Sequence, residues 1–277
     1  MATQFKTAVV TGAGGGLGRA LCLQLARQGA RILAADVHQP RCEETARLVE
    51  QGGGAAHVAV VDVSDFAQVD RLAEEADRVL GRIDLVVNNA GVAAGGTVGV
   101  APLEDWRWIV NVNLWGVIHG CHVFVPRLVR QRGGALLNVA SLAGIACAGG
   151  MASYNVTKAG VIALSETLSA ELAADNVGVT VLCPGFFKTN LLETMRITDP
   201  QMRLLAEAAV ANSTTTADAV AAAALRAVGR GKLYCLPMRE ARLVWRLKRL
   251  MPQRFVRLVA SRRLRELAER RALAQQT

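Results

Sequence analysis

The stretch Thr11-Gly12-Ala13-Gly14-Gly15-Gly16-Leu17-Gly18 follows a short apolar run, Thr7–Val10, and opens a segment with helical periodicity, Leu17–Gln28. Glycines let a backbone pass close to a pyrophosphate, and the N-terminus of a helix offers free N–H groups and the positive end of its dipole. The spacing is TGxxxGxG rather than GxGxxG, because position 17 is leucine. A glycine-rich turn between a strand and a helix predicts a nucleotide-binding loop more strongly than a plain turn.

The same strand-then-helix order repeats along the chain. Short apolar runs rich in β-branched residues predict seven strands, at Thr7–Val10, Ile32–Ala35, His57–Val61, Leu85–Asn88, Ala135–Val139, Val179–Cys183 and Leu233–Leu236. Apolar residues at i, i+3 and i+4 predict helices between them, at Leu17–Gln28, Arg41–Gln51, Phe66–Leu80, Leu103–Gln131, Ala152–Ala174 and Ala217–Val228. The alternation predicts an α/β fold, a Rossmann-type doubly wound parallel sheet of about seven strands flanked by helices.

Length and composition agree with one such domain. The 277 residues are 52% hydrophobic, which excludes disorder as the main state, and 26 Gly, 7 Pro and 6 Cys exclude collagen-like and disulfide-scaffold proteins. The cysteines are scattered without a CxxC pair, so we expect reduced thiols and a cytoplasmic protein. We expect no signal peptide and, because no run of about 20 uninterrupted apolar residues occurs, no spanning helix.

The positive charge is concentrated at the C-terminus. Lys plus Arg is 32 and Asp plus Glu is 23, which gives a formal net charge of +9. Residues 239–277 hold 12 basic and 3 acidic residues, so residues 1–238 are neutral overall. We therefore expect a dinucleotide-binding domain at 1–238 and a basic helical tail at 239–277, and the charge gives no reason to predict a nucleic-acid partner.

The tail predicts an amphipathic helix. Its apolar positions 243, 244, 247, 250 and 251 form one stripe, the arginines at 242, 246 and 249 lie off that stripe, and Pro252 ends the helix. A basic amphipathic helix that contains tryptophan suits peripheral contact with an anionic membrane. The alternative is a helix that packs on its own subunit or on an oligomer partner, and the sequence leaves both open.

Asp36 ends the second predicted strand, 18 residues after Gly18. A carboxylate at this position can accept hydrogen bonds from both hydroxyls of an adenosine ribose, and it repels a 2′-phosphate. No Arg or Lys stands at Gly15 or Val37, where a phosphate partner would be useful. These residues predict NAD(H) rather than NADP(H) as the cofactor. The alternative is an ordinary solvated aspartate at a strand end.

Several motifs in a fixed order resemble the short-chain dehydrogenase/reductase family in its single-domain, non-extended form. They are TGAGGGLG at 11–18, Asp62-Val63, Asn88-Asn89-Ala90-Gly91, Asn113, Ser141, Tyr154-Asn155-Val156-Thr157-Lys158, and Pro184-Gly185 followed by Thr189. Each motif is weak alone, and the resemblance rests on their order over residues 5–236. It implies an oxidoreductase that acts on CH–OH groups with a nicotinamide dinucleotide.

The chemistry explains why Tyr154 and Lys158 stand four residues apart. On a helix this spacing places both side chains on one face. A phenol with a pKa near 10 is a poor base at neutral pH, but a nearby ammonium and a cationic nicotinamide ring stabilise the phenolate. The phenolate can then take the proton of an alcohol, or the phenol can return it to a carbonyl. Ser141 would hydrogen-bond the substrate oxygen, where charge develops.

The resemblance assigns the remaining site residues. It implies that Asn113, rather than Asn111, holds a water that links Lys158 to solvent, so the expected catalytic residues are Asn113, Ser141, Tyr154 and Lys158. Asn88 is expected to stabilise the sheet. The expected dinucleotide contacts are Gly12, Gly14, Gly15, Gly16, Leu17, Gly18, Asp36, Val37, Asp62, Val63, Asn89, Ala90, Gly91, Tyr154, Lys158, Pro184, Gly185, Phe187 and Thr189.

We predict no metal site. His119, Cys121 and His122 are close in sequence, but we expect them on a helix that packs against a partner, and no further ligands stand at useful spacing. The resemblance implies that the long helices Leu103–Gln131 and Ala152–Ala174 pair with the same helices of a second subunit. The expected assembly is a homodimer or homotetramer.

The substrate side is predicted to be apolar. The segment after Thr189 contributes mostly apolar residues, namely Leu191, Leu192, Met195, Ile197, Met202, Leu204 and Leu205. Such a lining favours an apolar secondary alcohol or ketone, although the same side chains could pack on the protein instead. The leading interpretation is an NAD(H)-dependent oxidoreductase. The alternatives are an NADP-dependent reductase of the 3-oxoacyl type, a catalytically silent NAD(H)-binding scaffold or sensor, and an interaction protein anchored to a membrane by the tail.

Overall fold

A computed structural model of the chain describes residues 5–261. Its strands are β1 (Thr7–Thr11), β2 (Arg31–Asp36), β3 (Ala55–Val60), β4 (Leu85–Asn88), β5 (Ala94–Gly95), β6 (Gly134–Val139), β7 (Val177–Leu182), β8 (Arg196–Ile197) and β9 (Tyr234–Cys235). Seven of them form one parallel sheet in the order β3-β2-β1-β4-β6-β7-β9, and β5 pairs with β8 in a separate small sheet. The predicted seven-stranded, doubly wound sheet is confirmed.

Helices cover both faces of the sheet. They are α1 (Gly16–Arg27), α2 (Gln39–Gln51), α3 (Phe66–Leu80), α4 (Leu103–Val110), α5 (Gly116–Arg130), α6 (Leu142–Ala146), α7 (Ala152–Glu171), α8 (Pro200–Ala211), α9 (Ala217–Val228) and α10 (Arg239–Leu250). Side chains alternate between the two faces along each strand. In β1, Ala8 and Val10 join the apolar cluster under α1 and α9, whereas Val9 joins the cluster under α3 and α5.

Four elements escaped the sequence pattern, three because they are very short and one because it has no buried residue. Helix α6 has five residues, and no residue of α8 is buried, so neither shows the periodic apolar stripe that marks a helix. Strands β5 and β8 have two residues each. The start of α8 is still marked locally, because the Asp199 side chain accepts the Gln201 N–H and Pro200 occupies the first turn.

The predicted single helix Leu103–Gln131 is interrupted. A π turn at Asn111–Trp115 separates α4 from α5. Taken as one run, Leu103–Arg130 is the one helix within residues 5–261 that is long and apolar enough to cross a membrane, by length and composition alone. Such a segment was not expected from the sequence, which has no run of about 20 uninterrupted apolar residues. Its apolar character has a local use, since Val117, Phe124 and Leu128 are buried against the sheet.

Strand order places a crevice at one edge of the sheet. Strand β1 pairs with β2 on one side and with β4 on the other, so the chain reverses direction across the sheet at β1. In open α/β sheets, ligands bind at such a switch point, beyond the carboxyl ends of the strands. The fold therefore directs attention to the loops that follow β1, β2, β4 and β6.

A buried polar chain ties the centre of the sheet to α7. The Asn88 side-chain amide N–H donates to the Asn138 side-chain Oδ1 atom at 2.9 Å, and the Asn138 side-chain amide N–H donates to the Ser165 hydroxyl at 3.1 Å. All three residues are buried. Asn88 thus joins β4 to β6, in agreement with the structural role expected for it, and Asn138 links that pair to the helix that carries Tyr154.

Replacing Asn138 with alanine should destabilise the protein. The substitution leaves the Asn88 amide and the Ser165 hydroxyl buried without this partner, which costs about 1–3 kcal/mol. Urea unfolding of N138A should give a correspondingly lower free energy of unfolding. The exposed Asn212→Ala is the matched control and should change it by less than about 0.5 kcal/mol. Equal stabilities of N138A and wild type would contradict the role of this chain of hydrogen bonds.

Candidate functional site

The crevice holds a cavity of about 380 Å³ lined by residues from six loops. Most of the predicted dinucleotide contacts line it, namely Gly12, Gly14, Gly15, Leu17, Asp36, Val37, Asp62, Val63, Asn89, Ala90, Gly91, Tyr154, Lys158, Pro184, Phe187 and Thr189. Five predicted residues lie beside the cavity lining rather than in it: Gly16, Gly18, Asn113, Ser141 and Gly185. The structure therefore brings together one long site with Asp36 at one end and Tyr154 at the other.

Glycine is required in the loop for conformation and for space. Gly12 and Gly16 have φ values of +67° and +50°, which side chains disfavour. A Cβ on Gly18 would lie 2.0 Å from the Gly12 carbonyl oxygen, so only glycine lets α1 start this close to the loop. The Asn89 amide donates to the Thr11 and Gly12 carbonyl oxygens, which fixes the loop to the end of β4.

The middle of the site has room and donors for a pyrophosphate. Gly14 and Gly15 line the cavity without side chains, and α1 follows with its N-terminus at Gly16. Asn190, which the sequence analysis did not single out, covers the loop: a Cβ on Gly15 would lie 2.7 Å from its Nδ2 atom. Its position directly after Thr189 was the available signal. An amide, a helix N-terminus and bare backbone suit a dinucleotide phosphate.

Asp36 closes one end of the cavity. Its carboxylate accepts the Gly14 N–H at 2.8 Å and the His38 N–H at 2.9 Å. Val37 and Val61 line the adjoining wall. The carboxylate is therefore held by the loop it faces, with an apolar surface beside it where a base could stack.

Arg41 also lines this end, and the sequence analysis missed it. The expected positions for a cation that binds a 2′-phosphate were 15 and 37, whereas Arg41 lies in the first turn of α2. Its Nη2 atom lies 2.9 Å from the Glu193 carboxylate, and both side chains are about half exposed. A cation is thus present near Asp36, but Glu193 holds it.

Asp62 and Val63 form the wall next to this end. The Asp62 carboxylate accepts the backbone N–H and the hydroxyl of Ser64, and the Asp62 N–H donates to Gln68. The carboxylate is thereby fixed at the beginning of the loop after β3. A fixed carboxylate beside an apolar wall can receive the amino group of a purine.

At the other end, Tyr154 and Lys158 project from α7. The Lys158 Nζ atom lies 5.7 Å from the centre of the Tyr154 ring and donates to the Val139 carbonyl oxygen at 2.9 Å. Ser141 lies at the N-terminus of α6, where its hydroxyl accepts the Ala143 N–H at 3.1 Å. The predicted trio therefore converges where β6 ends.

Burial controls the protonation of this trio. Burial raises the pKa of the Tyr154 phenol, and a hydrogen bond with Ser141 opposes that rise. Burial lowers the pKa of Lys158 from 10.5 to about 8. Both shifts disfavour charge when the two groups are alone, so a phenolate needs additional positive charge nearby. A cationic nicotinamide ring would supply it.

Asn113 lies inside the π turn, next to Lys158. Its side chain accepts the Val92 N–H at 2.7 Å and donates to the Val92 carbonyl oxygen at 2.8 Å. A Cβ on Gly91 would lie 3.1 Å from the Asn113 Oδ1 atom and 3.4 Å from the Lys158 Nζ atom. The side chain thus fixes the loop after β4, and Gly91 leaves the space between that loop and the lysine.

The loop after β7 forms the remaining wall. Pro184, Phe187 and Thr189 line the cavity, whereas the Gly185 N–H donates to the Met238 sulfur at 3.3 Å and contributes by shaping the turn. A Cβ on Gly16 would lie 2.8 Å from the Thr189 hydroxyl oxygen. Thr189 therefore stands close to the glycine loop.

The substrate side is apolar in the structure. Ala93, Ala94, Ile109, Tyr154 and Met195 form one buried cluster, and partly buried apolar residues pack against it, among them Val92, Trp108, Leu191, Leu192 and Ile197. Leu204 and Leu205 are exposed on α8 instead. The segment after Thr189 is therefore divided. Its first part, residues 191–197, packs around Tyr154, whereas Leu204 and Leu205 in its second part do not.

Specific contacts hold this segment over the site. Strand β8 pairs with β5, the Arg196 guanidinium stacks 4.0 Å from the Trp108 ring, and Arg196 also pairs with Asp105 at 3.1 Å. The Arg41–Glu193 pair attaches the same segment to α2. The segment is thus fastened at both the tyrosine end and the Asp36 end of the cavity.

The histidines that were considered as metal ligands have packing partners. A ring nitrogen of His119 lies 2.9 Å from the Val63 carbonyl oxygen, and the rings of His119 and His122 each meet Phe66 edge-on. Within residues 5–261, no three His, Cys, Asp or Glu side chains are grouped so as to hold a metal ion.

Comparison with known proteins identifies the family. Residues 6–200 match the sequence model of the short chain dehydrogenase family. The chain belongs to this family. Its fold also resembles the crystal structure of a short chain dehydrogenase/reductase from Burkholderia phymatum in complex with NAD, with a TM-score of 0.86, 31% identity, and coverage of 91% of this chain and 96% of that one. The oxidoreductase class expected from the sequence is confirmed.

Two curated relatives show how far the likeness extends. The chain is 35% identical over 248 residues to 1-deoxy-11-beta-hydroxypentalenate dehydrogenase of Streptomyces avermitilis, which covers 87% of each protein. It is 41% identical over 186 residues to "Probable oxidoreductase EphD" of Mycobacterium tuberculosis. That match covers 67% of this chain but 31% of the relative, so the matched part of this chain spans less than a third of the longer protein.

Replacing Lys158 with methionine removes the buried cation and should therefore stabilise the folded protein. At neutral pH the wild type must keep a charged amine in a site that lowers its pKa from 10.5 to about 8, an order-of-magnitude penalty of about 3 kcal/mol. Loss of the hydrogen bond to Val139 offsets about 1 kcal/mol. K158M should therefore unfold at higher urea concentration at pH 7.

The pH dependence gives this experiment its control. The unfolded state binds more protons at Lys158 than the folded state between pH 8 and 10.5, so the penalty is complete below pH 8 and vanishes as pH rises past 10.5. The advantage of K158M should shrink over that window. A constant difference between the two proteins from pH 7 to 10.5 would show that Lys158 is not buried as an unpaired cation.

Proposed function

We propose that the protein is an NAD(H)-dependent oxidoreductase that interconverts an apolar secondary alcohol and its ketone. The observation that carries this proposal is the placement of Tyr154 and Lys158 at one end of the cavity, with the glycine loop in its middle and Asp36 at its other end. NAD(H), when bound, accepts or supplies the hydride. Every other role falls to side chains of this chain.

Tyr154 is the proposed general acid and base. In alcohol oxidation, its phenolate takes the hydroxyl proton of the substrate while the carbinol C–H bond gives up its hydride. In ketone reduction, the phenol returns the proton to the oxygen. The buried setting raises the pKa of Tyr154 on its own, so positive charge from Lys158 and from an oxidised nicotinamide must work against burial.

Ser141, Lys158 and Asn113 support that proton transfer. Ser141 lowers the pKa of Tyr154 and can donate its hydroxyl to the substrate oxygen. Lys158 stands between Tyr154 and Asn113, where it can hold a ribose hydroxyl and favour the phenolate. Both polar atoms of the Asn113 side chain bind Val92, so we assign the proposed water link to the Asn113 main-chain carbonyl in the π turn.

Asp36 is the proposed determinant of NAD(H) over NADP(H). Its carboxylate faces the cavity and would repel a 2′-phosphate, and Glu193 keeps Arg41 from acting as a phosphate partner. Use of NADP(H) would require both the loss of that repulsion and the release of Arg41. The NADP-dependent alternative is therefore disfavoured by two neighbouring carboxylates.

The buried apolar cluster around Tyr154 supports an apolar substrate. Met195 and Ile109 are buried and Trp108 lines the cavity, so the wall beside the tyrosine is mostly apolar. Steroid-like, cyclic and medium-chain secondary alcohols have matching chemistry. A coupled absorbance screen over these three classes with NAD would identify the substrate.

We also propose a homodimer or homotetramer that forms through α5 and α7. Trp115, at the end of the π turn directly before α5, and Val156 of α7 each expose about half of their surface, where a second copy could cover them. The proposed cytoplasmic location follows from the free thiols within residues 5–261, most of which are buried. The division into a catalytic domain at 1–238 and a tail at 239–277 remains a prediction.

Replacing Tyr154 with phenylalanine should abolish turnover while preserving cofactor binding. The phenylalanine keeps the ring and removes the hydroxyl that transfers the proton, so kcat should fall by about 100-fold to 10,000-fold. NADH binding, measured by fluorescence titration, should stay within about twofold of wild type. The second tyrosine of the chain offers the control, because Tyr234 lies outside the cavity and Y234F should retain turnover.

Two results would contradict the mechanism. Turnover by Y154F at the wild-type rate would remove Tyr154 as the acid and base. A wild-type protein that binds NADH but oxidises no alcohol of the three classes would favour the silent scaffold or sensor.

Replacing Asp36 with asparagine should shift cofactor preference towards NADP. Asparagine keeps an oxygen that can accept the Gly14 N–H but carries no charge, so the ratio of kcat/KM for NADP to that for NAD should rise roughly tenfold to 100-fold. Adding Arg41→Ala should reverse part of this gain, because the arginine is then no longer available to a 2′-phosphate. An unchanged ratio in D36N would show that Asp36 does not select the cofactor.

A further inference from the structure

Helix α10 packs against the domain through one face and leaves another face in water. Ala241 is buried, Val244 and Trp245 are partly buried, and the Lys248 ammonium donates to the Ile145 carbonyl oxygen of α6. The predicted stripe of positions 243, 244, 247, 250 and 251 is therefore divided between two surfaces. Val244 and Leu247 are partly buried, whereas Leu243, Leu250 and Met251 are exposed.

The outward face of α10 alternates arginine and leucine. Positions 239, 243, 246 and 250 are spaced by four, three and four residues, so Arg239, Leu243, Arg246 and Leu250 lie along one line of the helix. Leu243 is 58% exposed and Leu250 is 79% exposed. A helix that can bury alanine, valine and tryptophan but leaves these leucines in water presents an unpartnered apolar line.

Exposed apolar side chains continue past the end of α10. The chain is helical again over residues 252–261, where Val256 and Leu258 each expose more than half of their surface. Arg254 and Arg257 are exposed in the same segment. Residues 239–261 contain seven basic residues and one acidic residue, Glu240, so this apolar surface is also strongly positive.

A basic cleft adjoins this surface. A cavity of about 430 Å³ lies between α9, β9 and α10, and five cations line it: Arg226, Arg230, Lys232, Arg242 and Arg246. None of the five has a carboxylate within ion-pair distance in the part of the chain that the structure describes. Five unpaired cations around one cleft form a site for an anion.

A second copy of this chain is a poor occupant of the cleft. Strand β9 is at the open edge of the sheet, and Tyr234 and Cys235 of this strand line the cleft. A two-fold pairing across this edge would bring the same five positive charges towards each other, which repel. Nucleic acid would satisfy the charges but would leave Leu243 and Leu250 in water. A bilayer with anionic phospholipids satisfies both.

We propose that α10 and the cleft beside it form a docking surface for an anionic phospholipid membrane. Phosphate groups of the lipid headgroups bind at Arg242 and Arg246 in the cleft, while Leu243 and Leu250 enter the boundary between headgroups and acyl chains. The helix lies in the plane of the membrane, and the domain stays outside it. The proposal is independent of the substrate and cofactor assigned above.

Co-sedimentation with lipid vesicles tests the docking surface. The full chain should bind vesicles of phosphatidylcholine with about one third phosphatidylglycerol, and should bind pure phosphatidylcholine vesicles weakly. R242Q/R246Q should lower the partition coefficient by about thirty-fold, since each basic residue near an anionic surface contributes about fivefold. L243Q/L250Q should lower it by at least about tenfold, because two leucines no longer enter the interface.

Matched variants separate the surface from general charge and apolarity. R71Q/R78Q removes two exposed cations from α3, and V100Q/L103Q removes two exposed apolar side chains near the start of α4. Both should bind like wild type, and circular dichroism should show all variants folded. Absence of wild-type binding to anionic vesicles, or wild-type binding by R242Q/R246Q, would overturn the proposal. Wild-type binding by L243Q/L250Q would do so as well, because charge alone would then explain the attraction.

Discussion

The site depends on the buried cation Lys158, which has no acidic partner among residues 5–261. Lys158 is almost fully buried, and its ammonium has the Val139 carbonyl as its hydrogen-bond acceptor. An unpaired ammonium in such a place is unstable, and the pKa of Lys158 falls to about 8 in response. The surroundings that impose this instability also let the charge act strongly on anything that binds beside it, because the local dielectric constant is low. A buried lysine with a purely structural role is normally paired with a carboxylate.

The same reasoning links the cation to the rest of the fold. Lys158 reaches the end of β6 because α7 is fixed to that strand by Ser165 and Asn138, and it faces the loop after β4 because Gly91 has no side chain. The π turn around Asn113 positions the opposite wall through its pair of bonds to Val92. Ser165 lies two turns further along α7, whereas Asn138, Gly91 and Asn113 are remote from Lys158 in sequence. Together they fix the surroundings of the lysine beside Tyr154 and the cavity.

Sequence alone predicted the parts of the structure that depend on local pattern. All seven strands of the main sheet and the helices Phe66–Leu80 and Ala217–Val228 follow from apolar periodicity, because these elements bury one or both faces. The glycine loop and the Tyr154–Lys158 pair follow from spacing. Helix α8 could not be predicted in this way because it buries nothing. Arg41 and Asn190 were missed because their place in the cavity depends on how α2 and the loop after β7 meet, which no local pattern encodes.

Helix α10 shows why an amphipathic pattern does not say which face packs. Its apolar stripe is the obvious candidate for burial, yet Leu243 and Leu250 of that stripe are exposed, while the domain contacts Ala241, Trp245 and Lys248. The lysine packs inwards because α6 ends there and offers the Ile145 carbonyl oxygen, a group that needs a donor. Trp245 packs with Tyr234 of the edge strand, which brings Arg242 and Arg246 to the cleft. Because of these contacts, Leu243 and Leu250 face solvent, and they share one surface with Arg242 and Arg246.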